Sequence, residues 1–180
     1  MAIESDLQSI NPEEGVFLFV ISPESYRPSH FLIFKYFAER LKDRCIYVSL
    51  NEPCSALNRE LKKEGINTDK VYIIDGISRS QNQGGSIKNC TFLENPGSLT
   101  EVSIAITEAM NTGNYNFVFL DSVSTMLIYN NRETIENFLQ FIIGKIKNMG
   151  ISGAIIILNE GRSKELVGTV SQFFDNVIRS

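Results

Sequence analysis

The residues able to do chemistry fall in five short segments, each directly after an apolar run: 22–29, Asn51-Glu52, Asp75-Gly76, Asp121-Ser122 and Asn159-Glu160. The first reads Ser22-Pro-Glu-Ser-Tyr-Arg27-Pro28-Ser29. A phosphate-binding loop reads G-x-x-x-x-G-K-[ST] between a strand and a helix, and the spacing here is the same. Ser22 and Arg27 stand at the glycine places, Pro28 at the lysine place, and Ser29 at the magnesium-binding hydroxyl. Side chains at the glycine places obstruct the wrap of backbone amides around a phosphate. Pro28 removes both the ammonium and a backbone N–H. Glu24 adds negative charge, and Arg27 offers positive charge in compensation, so anion binding at a helix start stays open. The competing reading is an ordinary strand-to-helix turn with Pro28 at the first helical position.

The run Asn116-Phe-Val-Phe-Leu-Asp121-Ser-Val-Ser-Thr125 looks like a Walker B strand, whose aspartate holds Mg²⁺ directly or through water. Asp121 as a cap for the following turn is the alternative. Other constellations fail. His30 is the single histidine, which leaves no His-rich metal site and no marked Ser-His-Asp triad. The three cysteines (Cys45, Cys54, Cys90) lack CxxC spacing, so free thiols are expected rather than a disulfide framework or zinc site.

The elements that must position these residues follow from the hydrophobic pattern. Residues 16–21, 45–50, 71–75, 117–121 and 154–158 are nearly unbroken apolar runs, which suits strands covered on both faces. A weaker run, 174–179, follows at the end. Pro28 begins a helix carrying Phe34, Phe37, Ala38 and Leu41, and Pro53 begins one carrying Leu57 and Leu61 that stops at Gly65. Ser98-Leu-Thr-Glu101 is a capping box ahead of Leu99, Val102, Ile106 and Met110. Asn130-Asn-Arg-Glu133 begins the longest helix, whose stripe runs Ile135, Phe138, Leu139, Ile142, Ile146 and Met149. Phe141 and Ile143 widen that stripe, so burial on two sides is expected. Strands alternating with helices predict parallel pairing and an α/β fold, a three-layer α/β/α sandwich with a mainly parallel sheet. Residues 76–97 break the rhythm as a long polar loop, a length that usually signals function or disorder.

Composition sets the limits. The 180 residues suit one domain over 1–180, and 43% hydrophobic with 21% charged residues excludes disorder over the whole chain. A net charge of −4 disfavours a strongly basic nucleic-acid binder, and only Arg79 and Lys88 supply positive charge in the 76–97 loop. The first fifteen residues hold four acidic residues and no Lys or Arg, the wrong charge for a secretory signal, and no apolar run reaches the ~18 residues of a membrane span. A cytoplasmic location without membrane contact is expected.

Taken together, the order of motifs resembles the RecA-like ATPases of the KaiC type. The strand and helix at the phosphate-loop place carry the likeness, with Ile46-Tyr-Val-Ser-Leu-Asn-Glu-Pro53, Val71-Tyr-Ile-Ile-Asp75, Leu120-Asp-Ser-Val-Ser-Thr-Met-Leu-Ile-Tyr-Asn130, Glu133-Thr-Ile-Glu-Asn-Phe138 and Phe173-Phe-Asp-Asn-Val-Ile178. It extends from Gly15 to Arg179 and implies a RecA-like core of the P-loop NTPase kind. It also implies that Glu52 matches the glutamate that activates water, Asp121 the magnesium aspartate, and Asn159 a sensor of the terminal phosphate. An acid favoured by the next helix's dipole is the alternative for Glu52. Edge-to-edge assembly is implied too. The expected function is a non-catalytic, pseudo-ATPase domain without cofactor, regulatory or signalling, acting through a protein partner or self-association. The alternatives are a divergent ATPase using ATP and Mg²⁺, with Arg27 for the lysine and Ser29 and Asp121 on the metal, or a sensory domain for another small anion.

Overall fold

The computed structural model describes residues 2–13, 15–42, 44–81 and 85–180. Seven strands form one sheet in the order β4-β3-β2-β5-β6-β1-β7, parallel throughout. They are β1 (Val16–Ile21), β2 (Cys45–Ser49), β3 (Val71–Asp75), β4 (Cys90–Phe92), β5 (Phe117–Asp121), β6 (Ser152–Leu158) and β7 (Asn176–Arg179). The helices are α1 (Ala2–Gln8), α2 (Tyr26–Leu41), α3 (Cys54–Lys63), α4 (Leu99–Asn111), α5 (Val123–Tyr129), α6 (Arg132–Asn148) and α7 (Ser163–Val170).

Alternation along β1 shows why the strands are apolar on both faces. Phe17, Phe19 and Ile21 pack with Ile33, Phe34 and Phe37 of α2 and with Leu57 and Leu61 of α3. Val16, Leu18 and Val20 face the other layer, among Val102 and Ile106 of α4, Leu139 and Ile142 of α6, and Leu166 of α7. The result is the expected three-layer α/β sandwich. The first layer is aromatic: Phe37 stacks on Phe117 at 4.8 Å, and Phe34 meets Tyr47 edge-on at 4.9 Å. Among the described residues no helix is long and apolar enough to cross a membrane.

Local signals work where their chemistry is complete. Ser98 Oγ accepts the Glu101 amide at 3.2 Å. Glu101 does not close the box, however: its carboxylate takes the amides of Glu94 (2.8 Å) and Asn95 (3.3 Å), because Ser98 N already donates to Asn95 O. Asn131 caps α6 through Thr134.

Four expectations need correction. The helix carrying Phe34 and Phe37 begins earlier than Pro28: a 3-10 turn (Pro23–Ser25) runs into α2 at Tyr26. Pro28 is tolerated there because amides of a first helical turn have no intrahelical partner to lose. The last strand is shorter than 174–179, since Phe174 is buried against the α6–α7 layer instead. The 76–97 loop contains a 3-10 turn (Arg79–Gln81) and the edge strand β4, while its residues 82–84 lie outside the described residues. On α6, Ile143 is buried as expected but Phe141 is 50% exposed, its ring under Lys145 Nζ at 5.7 Å. Helices α1, α5 and α7 had no reading in the sequence.

Candidate functional site

Sheet register aligns the carboxyl ends of the strands. Ser49 is opposite Asp75 on one side and Asp121 on the other, and Ile21 is opposite Leu158. The segments after these rows, holding Ser22, Asn51-Glu52, Ser122 and Asn159, therefore gather at one end of the sheet, where open parallel sheets bind ligands.

Asp121 is the centre of this end. It is 3% exposed, and both carboxylate oxygens are taken. The Tyr26 hydroxyl lies 2.8 Å from Oδ1 and 2.8 Å from Oδ2. Tyr47 donates to Oδ2 at 3.0 Å, and Asn51 Nδ2 approaches Oδ1 at 3.3 Å and Tyr26 Oη at 2.9 Å. Thr125 Oγ1 donates to Asn51 Oδ1 and holds the amide in that orientation. A carboxylate offers about four lone-pair directions. One Tyr26 proton shared between the two oxygens, the Tyr47 proton and an Asn51 amide proton occupy most of that capacity.

Electrostatics match the geometry. Burial pushes the Asp121 carboxyl above its ordinary range, against the opposing pull of His30 and of the Tyr26 and Tyr47 hydroxyls. Burial and the Asp121 charge together drive both tyrosines well above the phenol range, so both remain donors. His30 is buried and stacks on Tyr26 at 4.8 Å with rings 12° from parallel, bracing the ring whose hydroxyl meets Asp121.

Three amides of the segment 22–29 are committed within the protein. Ser22 N donates to Ser180 O, Ser25 N to Ser22 O and Tyr26 N to Pro23 O. Pro23 and Pro28 have no amide proton. Ser22 Oγ pairs with Ser25 Oγ at 3.1 Å. Ser29 is buried within α2, 2% exposed. Arg27 and Pro28 are exposed and line a groove of about 440 Å³ between α1 and α2, with Leu7 and Phe31. Asp121 and Tyr26 do not line that groove.

The remaining candidates separate. The Glu52 backbone is bound to Ser49 Oγ through its carbonyl (2.6 Å) and its amide (3.3 Å), and its Oε2 is buried without a hydrogen-bond partner among the described residues. The Glu52 charge reaches Asp121, Tyr26 and Tyr47, so it belongs to the same end of the sheet. Asn159 donates its amide to Ile21 O at 2.7 Å, which joins β6 to β1, and its side chain is exposed. Asp75 is fully buried and structural in its contacts. Its oxygens accept Cys54 N (2.6 Å), Ile77 N (2.8 Å), Ser78 N (2.9 Å) and Ser78 Oγ (2.6 Å), fixing the start of α3 and the turn after β3.

Sequence reasoning missed Tyr26 and Tyr47, and it placed Asn51 at a strand end without a role. Tyr47 reads as core within an apolar strand, and Tyr26 occupies a place that the phosphate-loop pattern leaves free. No signal along the chain marked them, since both tyrosines precede Asp121, by 95 and 74 positions. An Mg²⁺–nucleotide of the kind this fold implies does not fit these residues as arranged: the amides of Ser22, Ser25 and Tyr26 are already used, and Tyr26, Tyr47 and Asn51 cover the oxygens of Asp121.

Residues 34–180 match a family described as a family of unknown function, DUF7504. The matched stretch begins inside α2 and leaves out residues 22–29. No curated protein matches the chain. Among solved structures, a KaiC-like protein from the hyperthermophilic archaeon Pyrococcus horikoshii superposes with a TM-score of 0.66 at 14% identity, over 92% of this chain and 70% of that one. At that identity the likeness is one of fold.

Proposed function

We propose that this chain, which belongs to the DUF7504 family of unknown function, is a RecA-like domain that does not turn over nucleotide and serves as a regulatory module for a protein partner or a second copy of itself. The observation that carries the reading is the closed Asp121 network. Tyr26, from the segment that would have to wrap a phosphate, instead hydrogen-bonds the carboxylate that would have to hold the metal. Opening the site breaks these bonds and exposes a buried carboxylate, so a nucleotide must first overcome that cost. Arg27 gives no support to the lysine-replacement alternative, because it lines the α1–α2 groove.

Calorimetric titration of MgATP and MgADP into the purified chain tests this. No heat of binding is expected from the natural protein. A variant combining Ser22→Gly, Arg27→Gly and Pro28→Lys with Tyr26→Phe frees the segment and the aspartate together, and binding regained there supports the reading. Micromolar binding by the natural chain overturns it and restores the ATPase alternative with Glu52 and Asp121 as its residues.

A further inference from the structure

The charges at the two ends of α2 run against the dipole of the helix. Arg27 stands in the first turn and Glu39 in the last, where the dipole favours the opposite signs. Both are exposed, and among the described residues neither forms an ion pair. Arg27, Phe31, Lys35 and Glu39 stand four residues apart, and positions so spaced form the ridge that helices most often use to pack on one another. All four line the groove of about 440 Å³ between α1 and α2. Phe31 and Leu32 are half-buried on the apolar cluster beneath, and the buried Leu7 of α1 belongs to the opposite wall. The groove's charges balance, Arg27, Lys35 and Arg40 against Glu4, Glu39 and Glu64. A groove without net charge does not select a polyanion or an anionic membrane.

We propose that this groove docks a second copy of the chain, the two α2 helices packing antiparallel about a twofold axis that passes between Phe31 and Lys35. Charge complementarity under reversal selects that occupant. In a twofold contact whatever a residue meets on the other copy meets the same residue in return. Turning the row end for end sets Arg27 against the partner's Glu39 and Phe31 against the partner's Lys35, each pair occurring twice. Arg27 and Glu39 thereby gain the opposite charges they lack within the chain, and each Lys35 ammonium meets a Phe31 ring. The 16 residues of α2 extend about 24 Å, a short contact for a permanent dimer, so the association is reversible. This rests on the self-association arm of the reading above and names its surface. Neither Asp121 nor Tyr26 lines the groove, so pairing and nucleotide binding are separately measurable.

Sedimentation of the purified, nucleotide-free chain from low-micromolar to submillimolar concentration should show a monomer–dimer equilibrium that salt weakens. Arg27→Glu and Glu39→Arg each place two like-charge pairs across the axis and should weaken the dimer about tenfold or more. Each reversal suits the helix dipole, so α2 is retained, which circular dichroism checks. The double variant restores both pairs with signs exchanged and should dimerise again. An equimolar mixture of the two single variants should dimerise as well, because one copy then supplies only acids at these positions and the other only bases. A natural chain that stays monomeric throughout overturns the proposal and leaves the nucleotide reading to its own titration. A dimer indifferent to either reversal, or one that the double variant or the mixture fails to restore, overturns it too. Micromolar MgATP binding by a chain that pairs in this way overturns the nucleotide reading alone.

Discussion

Replacing Tyr26 by Phe removes one oxygen atom and should have a cost that depends on pH. The hydroxyl touches both oxygens of Asp121 at 2.8 Å and accepts from Asn51 at 2.9 Å. A hydrogen bond to a charged group contributes about 1.5–3 kcal/mol net. Asn51 keeps contacts to Asp121 Oδ1 and Ser122 Oγ in the variant, so its share of the loss is small. The expected cost near neutral pH is about 2 kcal/mol, a fall in Tm of about 4–8 °C for a chain of this size. Burial places the folded-state pKa of Asp121 above its unfolded value. The stability this group confers is therefore complete below the unfolded pKa and is lost as pH rises toward the folded one. The Tyr26 hydroxyl opposes that shift because it favours the ionised form. Without it the folded pKa climbs further, and the variant loses more stability over the same rise. The cost of Tyr26→Phe should thus be small on the acid side, grow as Asp121 ionises, then level off. The chain has no tryptophan, so thermal and urea unfolding are followed by circular dichroism, from about one unit below the usual aspartate range upward. In an Asp121→Asn background the same change should cost less than half as much. A cost that is flat with pH, or undiminished in that background, would refute the assignment of Tyr26 as partner of an ionised Asp121.

Asp75→Asn replaces an acceptor of four donors by a group whose amide nitrogen must face two of them. The expected loss is about 3 kcal/mol, read by urea unfolding, with amide exchange faster at Cys54, Ile77 and Ser78. At Asp175 burial pushes the carboxyl up, but the Val16 amide and Lys147 outweigh it and hold the pKa below the usual range. Its contribution is present above the unfolded pKa and lost as pH falls through the folded one. Asp175→Asn should therefore lower stability near neutrality and flatten the acid limb of the Tm–pH profile.

What was legible in the sequence was what depends on neighbours along the chain. A strand covered on both faces must be apolar at every position, so β1, β2, β3, β5 and β6 announce themselves as unbroken runs. Ser98 caps α4 because its hydroxyl reaches an amide three residues away. The helix after β1 was placed late because Pro28 is compatible with several positions of a first turn, and the 3-10 turn ahead of it leaves no pattern. Three-residue β4 was invisible for a related reason: a half-buried edge strand of that length has no period to read.

The ends of the strands were legible too, and with them Asp121, Glu52 and Asn159 as candidates. What those residues are bonded to was not. Tyr26 and Asp121 are 95 positions apart, and Tyr47 and Asp121 are 74 apart. Only the sheet register that sets β2 beside β5, and the packing of α2 across them, brings the hydroxyls to the carboxylate. The sequence by itself determined a three-layer α/β frame with a mainly parallel sheet, because hydrophobic period and caps are local. The tertiary structure decided whether the frame's aspartate faces solvent or two tyrosines, because a buried carboxylate must take its donors from whatever the fold lays against it.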